Sequence, residues 1–315
     1  MLALVTSEFD ALAAEHWRAL HLHCYRMLGS YHDAEEATQE ALLRAWRKID
    51  TFEGRAPIRH WLYRIATTTC LNMITSRGRQ PGTGFAEVTW LQPYPDELLD
   101  QLPADDPDPA AIAENRETVK LAFIAALQAL PATQRAMLIL RDVLAWPATE
   151  VAELLETSVA AVNSGLQRAR SSLPVTAAPG ATEKRLTDRD REVAQRFVAA
   201  WNRSDITALA ALLREDAILR MPPERVEIQG AQAVTRFFAT VPAGGTLDLF
   251  RLAMVAANGC PAVAAYLPDH TGMWMPYGLM VLETDGALIT AITGFPQPSL
   301  FPPFGLPDQL QPSMS

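Results

Sequence analysis

Two adjacent helical patterns near the middle of the chain carry residue types that contact DNA bases. The stretches ATEVAELLET (148–157) and SVAAVNSGLQRAR (158–170) space their apolar residues three or four apart, with a tight turn between them. Ser158 is a suitable N-cap for the second stretch. The pattern predicts a helix-turn-helix, whose second helix enters the major groove. The candidate DNA contacts, with the N-cap included, are Ser158, Ala161, Asn163, Ser164, Gln167, Arg168 and Arg170.

The side chains on this second helix are of types that contact bases, but their spacing is not specific to DNA-binding helices. Asparagine and glutamine can bind adenine, and arginine can bind guanine or phosphate. Val159, Val162 and Leu166 are predicted to form its buried face. An ordinary helical hairpin with a solvated outer face has the same spacing, so the residues alone leave both interpretations open.

A second concentration of charged and aromatic residues lies in the N-terminal part. DAEEATQEALLRAWRKI (33–49) has acids in its first turn and bases in its last, as the helix dipole favours. The loop DTFEGRAP follows, and then IRHWLYRI begins a third helix that mixes aromatic and cationic side chains. Such side chains can hold single-stranded nucleic acid. A solvated helix with pairs such as Glu40–Arg44 is the alternative for the acidic stretch, and burial in the core is the alternative for Trp61.

Charge and composition divide the chain into segments. The net charge is −9, but residues 81–117 alone carry −8 and are rich in proline and aspartate, which predicts an extended linker. Net charge therefore does not exclude a DNA-binding surface elsewhere. The predicted segments are a helical domain (1–80), the acidic linker (81–117), a second helical domain (118–173), a short linker (174–186), a third domain (187–296) and a proline-rich tail (297–315).

The third domain has a different element order. Two helices, a strand and a helix are followed by a run of strands, and Asp285-Gly286 is a strong hairpin signal between the last two. This order predicts an α+β domain with a curved antiparallel sheet beside the two all-α domains.

Several classes of protein are excluded or disfavoured by composition. No stretch approaches ~18 consecutive apolar residues, so no membrane span is expected. The N-terminus has no basic start and no long apolar run, so no secretory signal is expected. Three cysteines lie far apart, which fits the cytoplasm and argues against a disulfide or zinc framework. The sequence predicts no cofactor and no metal site.

Residues 127–173, from LQALPATQRAMLIL to QRARSSL, resemble the −35-binding domain of extracytoplasmic-function (ECF) sigma factors. Residues 33–79, from DAEEATQEALLRAW to MITSRGR, resemble their −10-binding domain. Two matches in the right order are more specific than one helix-turn-helix. The resemblance implies a promoter-recognition subunit whose partners are bacterial core RNA polymerase and promoter DNA.

The resemblance also implies roles for individual residues. Those that would bind core polymerase are Asp33, Glu35, Glu36, Gln39, Glu40, Arg44 and Trp46. Those that would bind −10 DNA are Phe52, Arg55, Arg59, His60, Trp61, Tyr63 and Arg64.

The third domain is similar to SnoaL-like domains, whose cone-shaped fold encloses an apolar pocket. The candidate lining residues are Trp201, Met221, Phe238, Tyr266 and Trp274, which could also be plain core, and an unidentified small ligand could occupy such a pocket. Enzymes on this fold place a histidine or aspartate base inside the cone. His270 falls in a predicted outward turn, and Asp216 and Asp248 could face either way, so the domain is not expected to be an enzyme.

The acidic linker and the tail contain apolar residues that a plain tether does not need. They are Trp90, Leu91, Tyr94, Phe301 and Phe304. Their apolar type predicts packing between domains. The negative charge of the linker would also allow it to mimic the charge of RNA. The chain is therefore interpreted as an ECF sigma factor regulated in cis by its third domain, which either inhibits or supports transcription, with no separate anti-sigma factor. The alternative is a SnoaL-like isomerase, cyclase or ligand sensor tethered to a DNA-binding module.

Overall fold

The computed structural model forms two compact units. Unit 1 comprises Met1–Leu91 and Leu98–Glu183, and unit 2 comprises Gln92–Glu97 and Lys184–Ser315. The residues described are 2–54, 56–79, 81, 87–100, 118–173 and 186–311, with side chains from Phe9 onward. Most of the acidic linker, all of the short linker except Leu186, and the last four residues of the tail lie outside the described residues.

Unit 1 is helical. Its first three helices are α1 (Leu2–Leu28), α2 (Tyr31–Lys48) and α3 (Ile58–Ser76), with a 3₁₀ turn at Ile49–Thr51. The short helix α4 (Asp96–Asp100) spans the boundary between the units. The remaining helices are α5 (Leu121–Gln128), α6 (Ala132–Leu138), α7 (Ala148–Leu154) and α8 (Val159–Ser172), with a π-helical turn at Ile139–Val143 after α6. None of the helices within the described residues is long and apolar enough to cross a membrane.

The turn between α1 and α2 depends on a glycine and a cap. Gly29 ends α1 with a φ of +72°, a conformation that favours glycine. A Cβ at Gly29 would lie 2.8 Å from the side chain of Gln128, so the turn also packs closely against the end of α5. Ser30 then caps α2, accepting a hydrogen bond from the Asp33 backbone N–H.

A buried arginine joins the N-terminal helices to the helices after the linker. Arg135 on α6 is 3% exposed and donates hydrogen bonds to Met27 O and to Gln128 Oε1, both at 2.5 Å, and to Leu130 O at 3.1 Å. Burial, with a smaller contribution from the charge of Arg79, lowers the pKa of Arg135 to about 9. Nearby, Arg26 donates to Thr118 Oγ1 at 2.7 Å.

The predicted helix-turn-helix is formed by α7 and α8. Its close packing on α6 needs Gly165, because a Cβ there would overlap Met137 Sδ. Val162 and Leu166 are buried as predicted. Val159 is not; it is 39% exposed, because it occupies the first turn of α8 on the solvent side.

Unit 2 is an α+β fold. Its helices are α9 (Asp188–Asn202), α10 (Ile206–Ala211) and α11 (Ala231–Thr240). Its strands are β1 (Leu213–Arg220), β2 (Glu227–Gln229), β3 (Arg251–Ala257), β4 (Cys260–Pro268), β5 (Trp274–Thr284) and β6 (Ile289–Phe295). They form one sheet in the order β2-β1-β6-β5-β4-β3. The predicted hairpin at Asp285-Gly286 joins β5 and β6.

The sheet is mixed rather than wholly antiparallel. β1 and β6 pair in parallel, with Ile218 opposite Ala291 and Leu219 opposite Ile292. The expectation of an antiparallel sheet was wrong at this pair, because the last strand returns to lie beside the first instead of joining the sheet's outer edge. The helices pack on one face of the sheet around a core that includes Phe197, Trp201 and Phe238.

Candidate functional site

The exposed face of α2 combines acidic, polar and apolar side chains. Glu36 and Gln39 are exposed, and Leu43 and Trp46 follow at 49% and 47% exposure. Their spacing of three or four residues places all four on one side of the helix. Two large apolar side chains exposed beside carboxylates are typical of a protein-binding surface. Leu43 was not among the residues predicted from the sequence, because apolar side chains are usually buried.

The acidic residues at the start of α2 are held by arginines from the end of α3 and beyond it. Asp33 forms ion pairs with Arg77 and Arg79, and Glu36 accepts from Arg77 at 2.5 Å. Partial burial acts to raise the pKa of Asp33, but the two arginines outweigh it and lower that pKa below its usual value. Farther along, Glu40 pairs with Arg44 at 2.7 Å, and Glu35 is partly exposed.

The candidate −10 contacts lie in the loop before α3 and in its first two turns. Phe52 packs against Trp61 with ring centroids 5.4 Å apart, and both rings are partly exposed. Arg59 is exposed. Arg55 lies outside the described residues.

Three further −10 candidates contact the helix-turn-helix within unit 1. His60 stacks on Trp146 with centroids 4.7 Å apart, and Tyr63 meets the same indole edge-on at 6.3 Å.

Two polar contacts with carboxylates flank this aromatic contact. His60 Nδ1 lies 3.1 Å from Glu150 Oε2, and Arg64 donates to Glu153 Oε2 at 3.2 Å. We call this set of residues the α3–α7 contact. Sequence analysis missed it because its partners lie about 90 positions apart.

The helix α8 presents a polar outer face. Asn163, Ser164, Gln167 and Arg168 are exposed, and Ala161 is partly exposed. Ser158 caps the helix, accepting from the Ala161 backbone N–H at 3.1 Å.

Arg170, in the last turn of α8, has a protein partner. It donates two hydrogen bonds to Asp142, at 2.9 and 2.6 Å, and these raise its pKa. A DNA phosphate would have to compete with this carboxylate for the same guanidinium.

The apolar residues of the acidic linker divide between the two units. Trp90 and Leu91 belong to unit 1, where the Trp90 indole donates to Gln128 Oε1 at 3.4 Å and Leu91 is buried. Tyr94 belongs to unit 2 and is fully buried.

Residues 92–97 attach to the turn between β3 and β4. The Tyr94 backbone N–H donates to Asn258 Oδ1 at 2.8 Å, and the Asn258 N–H donates to Tyr94 O at 3.0 Å. Asp96 accepts from the Gly259 N–H at 2.9 Å. We call this set the linker anchor. A segment that connects two parts of unit 1 is thus built into unit 2.

The tail packs within unit 2. Phe301 is fully buried, with its ring edge-on to Tyr266 at 4.9 Å, and Phe304 is 9% exposed. The Tyr266 hydroxyl donates to Pro307 O at 3.1 Å, and Trp274 exchanges two backbone hydrogen bonds with Leu310.

An apolar cavity of about 70 Å³ lies between the helices and the sheet of unit 2. The predicted residues Trp201, Met221 and Phe238 line it, but Tyr266 and Trp274 do not. The Tyr266 hydroxyl donates to Pro307 of the tail, and the Trp274 ring lies under the Arg251 guanidinium. The other side chains of the wall include Phe237, Val241, Phe250, Ala265, Tyr277, Leu279, Met280 and Phe295.

The cavity contains no candidate for a general base. Its wall has no Asp, Glu, His, Lys or Arg, and its polar side chains are those of Trp201 and Tyr277. Asp216, Asp248 and His270 are all exposed; Asp216 pairs with Arg214, and Asp248 accepts from Ser204 Oγ. Within the described residues there is also no cluster of three or more His, Cys, Asp or Glu that could hold a metal ion.

Comparison with known proteins assigns the domains. Residues 12–80 match sigma-70 region 2, residues 120–173 match sigma-70 region 4, and residues 194–289 match the SnoaL-like domain. The chain is 44% identical to the ECF RNA polymerase sigma factor SigG of Mycobacterium tuberculosis, over 96% of this chain and 85% of that protein. The chain belongs to the ECF sigma factors.

Two further similarities support the assignment of this sigma factor. It is 33% identical to SigJ of the same bacterium, over 84% of this chain and 80% of that protein. It also resembles the crystal structure of Mycobacterium tuberculosis SigJ, with a TM-score of 0.64 and 25% identity over 95% of this chain and 99% of that one. The interpretation as a sigma factor with a C-terminal SnoaL-like domain is confirmed, and the role of an ECF sigma factor is to direct transcription initiation.

Proposed function

We propose that this sigma factor is held closed when free, with its −10 surface covered by its own −35 domain, and that it opens to engage a promoter. The proposal rests on the α3–α7 contact. His60 and Arg64 are two of the side chains proposed to hold −10 DNA, and both are paired with carboxylates of α7. DNA cannot use the same atoms while those pairs exist.

The distance between the two promoter elements supports the proposal that the closed unit must open. The −10 and −35 elements are about 25 base pairs apart, or about 85 Å along B-DNA. A compact unit of fewer than 200 residues has a radius of gyration of about 16 Å. Two surfaces packed together in one such unit cannot reach both elements at once.

In this scheme the free sigma factor binds core polymerase first. The exposed face of α2, centred on Leu43 and Trp46, is proposed as the docking surface, and it remains exposed in the closed form. The outer face of α8 is proposed to read −35 DNA. We also propose that the protein works in the cytoplasm beside the polymerase and needs no separate anti-sigma factor.

The C-terminal domain is proposed to act as the brake. It holds residues 92–97 through the linker anchor, and these residues connect region 2 to region 4. A linker held at its centre has less freedom to extend, so the anchor favours the closed form. The cavity is proposed to bind a small molecule without transforming it, because its wall has no Asp, Glu, His, Lys or Arg.

A single substitution tests the brake. Asn258 has a φ of +56°, so Asn258→Gly keeps the turn while removing the side-chain amide whose oxygen accepts the Tyr94 N–H. Leaving a buried N–H without its acceptor costs about 1–3 kcal/mol. We expect several-fold more transcript from core polymerase in vitro, on promoters first selected with the wild-type holoenzyme.

The control is Asp269→Gly, which removes a similar acceptor from the turn between β4 and β5 without touching the linker. Transcript levels equal to wild type for Asn258→Gly, at unchanged melting temperature, would refute control through the linker. A decrease confined to Asn258→Gly would show that the anchor supports the active form instead.

A further inference from the structure

A carboxylate that is not among the predicted DNA contacts lies against the helix α8. Asp142 belongs to the π-helical turn Ile139–Val143 and accepts hydrogen bonds from Arg170 Nε at 2.9 Å and from Arg170 Nη2 at 2.6 Å. The two residues lie 28 positions apart, so the fold, and not the local sequence, brings them together. Two parallel hydrogen bonds to one carboxylate are the strong form of an arginine ion pair.

The π-helical turn holds this carboxylate in place. The Trp146 backbone N–H donates to Leu140 O at 2.9 Å, and the Arg141 guanidinium donates to Trp146 O. The exposed side-chain fraction is 21% for Asp142 and 59% for Arg170. The more mobile partner is therefore the arginine, and any ligand of Arg170 has to displace a carboxylate that the turn keeps beside it. Turns of this kind are frequent at functional sites.

Arg170 lies at one border of the outer face of α8. Arg168 and Arg170 are the two cationic residues of this helix. At 3.6 residues per turn they lie on opposite borders of the outer face, with Asn163 and Gln167 between them. A helix in the major groove has a sugar–phosphate strand on each side, so each arginine is placed toward one strand. Arg168 is exposed and has no ion pair among the described side chains.

The two arginines differ in the charge that they offer to DNA. A free cation that contacts a phosphate releases counterions and adds about 0.9 to the slope of log K against log salt. The pair of Arg170 with Asp142 carries no net charge, so it releases none. Of the two strands beside the helix, only the one next to Arg168 meets a free cation of α8.

We propose that Asp142 is a positioning residue that withholds Arg170 from DNA phosphate. The helix α8 then makes one phosphate contact fewer than its arginines allow, and it depends more on the base contacts of Asn163 and Gln167. A phosphate contact strengthens binding to every sequence, whereas a base contact strengthens binding to one. Asp142 thus limits the affinity of region 4 for DNA without a −35 element. This inference rests on the proposal that the outer face of α8 reads −35 DNA.

The test measures equilibrium binding of holoenzyme, assembled with the full-length protein, to two short duplexes. One carries a −35 element from promoters selected with the wild-type holoenzyme, and the other is a scrambled duplex of the same length. Asp142→Asn keeps the size of the side chain and removes its charge. We expect it to tighten binding to both duplexes about threefold to tenfold at about 0.1 M salt, and to steepen the salt slope by about 0.9.

A double-mutant cycle shows whether Asp142 acts through Arg170. Arg170→Gln alone should weaken binding severalfold, because it leaves the carboxylate facing DNA without its partner. Asp142→Asn/Arg170→Gln removes a neutral pair, so it should bind within about twofold of wild type and with the wild-type salt slope. A merely structural role of Asp142 would not restore that slope.

Two further variants serve as controls. Glu156→Gln removes an exposed carboxylate that has no ion pair among the described side chains, so its effect should be small and the same with or without Arg170→Gln. Arg168→Gln removes the free cation of α8 and should weaken binding to both duplexes while lowering the salt slope by about 0.9.

The outcomes separate this inference from the proposal on which it rests. If Asp142→Asn binds no more tightly than Glu156→Gln, or if the double variant binds as weakly as Arg170→Gln, then Asp142 does not withhold Arg170. If Arg168→Gln also binds both duplexes as wild type does, then the outer face of α8 does not contact DNA, and both proposals are wrong.

Discussion

Removing the two carboxylates of the α3–α7 contact should open the free protein. The double variant Glu150→Gln/Glu153→Gln keeps side-chain size and removes both charges. The pairs are only half buried: the exposed side-chain fractions are 21% for His60, 40% for Glu150, 39% for Arg64 and 72% for Glu153. Each is therefore worth about 0.5 kcal/mol. Together they contribute about 1 kcal/mol, so the ratio of open to closed protein should rise about fivefold.

Energy transfer between two dyes measures this ratio without DNA. Dyes attached through Arg47→Cys on α2 and Ser171→Cys on α8 report opening as a loss of transfer, in a Cys260→Ser background because the other cysteines are buried. Promoter complex formation at limiting holoenzyme should rise by up to the same factor, because only the open fraction is competent.

The matched control is Glu156→Gln, which removes one charge just after α7, at an exposed residue with no ion pair among the described side chains. This control corrects for the general gain in DNA affinity when a carboxylate is lost. If transfer is unchanged in the double variant, or changes equally in the control, then the two pairs do not hold the unit closed.

Two more predictions concern the surface of α2 and the buried histidines. Leu43→Ala and Trp46→Ala should each weaken association with core polymerase about tenfold or more. Both side chains are about half exposed, so the melting temperature should stay within a few degrees of wild type. Pull-down measures the binding and calorimetry the melting temperature, and full retention of binding would exclude α2 as the docking surface. Burial lowers the pKa of His21 to about 4 and that of His23, which also lies near Arg26, to about 3. At these two positions only the unfolded chain takes up protons as the pH falls below ~6.5. The free energy of unfolding, measured by urea titration, should therefore fall by about 1.4 kcal/mol per histidine between about pH 7.5 and about pH 5.5. His23→Gln should remove about half of this loss.

The local features of the fold could be predicted from the sequence. The helix-turn-helix and the α1–α2 turn depend on neighbouring residues, since the Ser30 and Ser158 caps and the glycine turn act within a few positions. The periodicity of α7 and α8 likewise identified Val162 and Leu166 as core. Val159 had the same apolar type, but its position in the first turn of the helix decided its exposure.

Contacts between distant positions could not be predicted. The parallel pairing of β1 and β6 depends on where the last strand returns, and β2 is only three residues long, without a detectable alternation. Nothing near Trp146 in the sequence indicates His60 as its partner. Similarly, aromatic type identified Trp201 and Phe238 as cavity residues but also suggested Trp274, whose ring lies against Arg251.

The linker anchor has a consequence for synthesis on the ribosome. Tyr94 and Asn258 are separated by 164 residues, and chains grow at about 5–20 residues per second, so about 8–33 s pass before the anchoring turn is made. During that interval the nascent chain presents a complete region 2, and later a complete region 4, while Tyr94 lacks the turn on which it is anchored. A nascent or prematurely terminated chain therefore exposes Tyr94, and it can meet polymerase before the linker anchor forms.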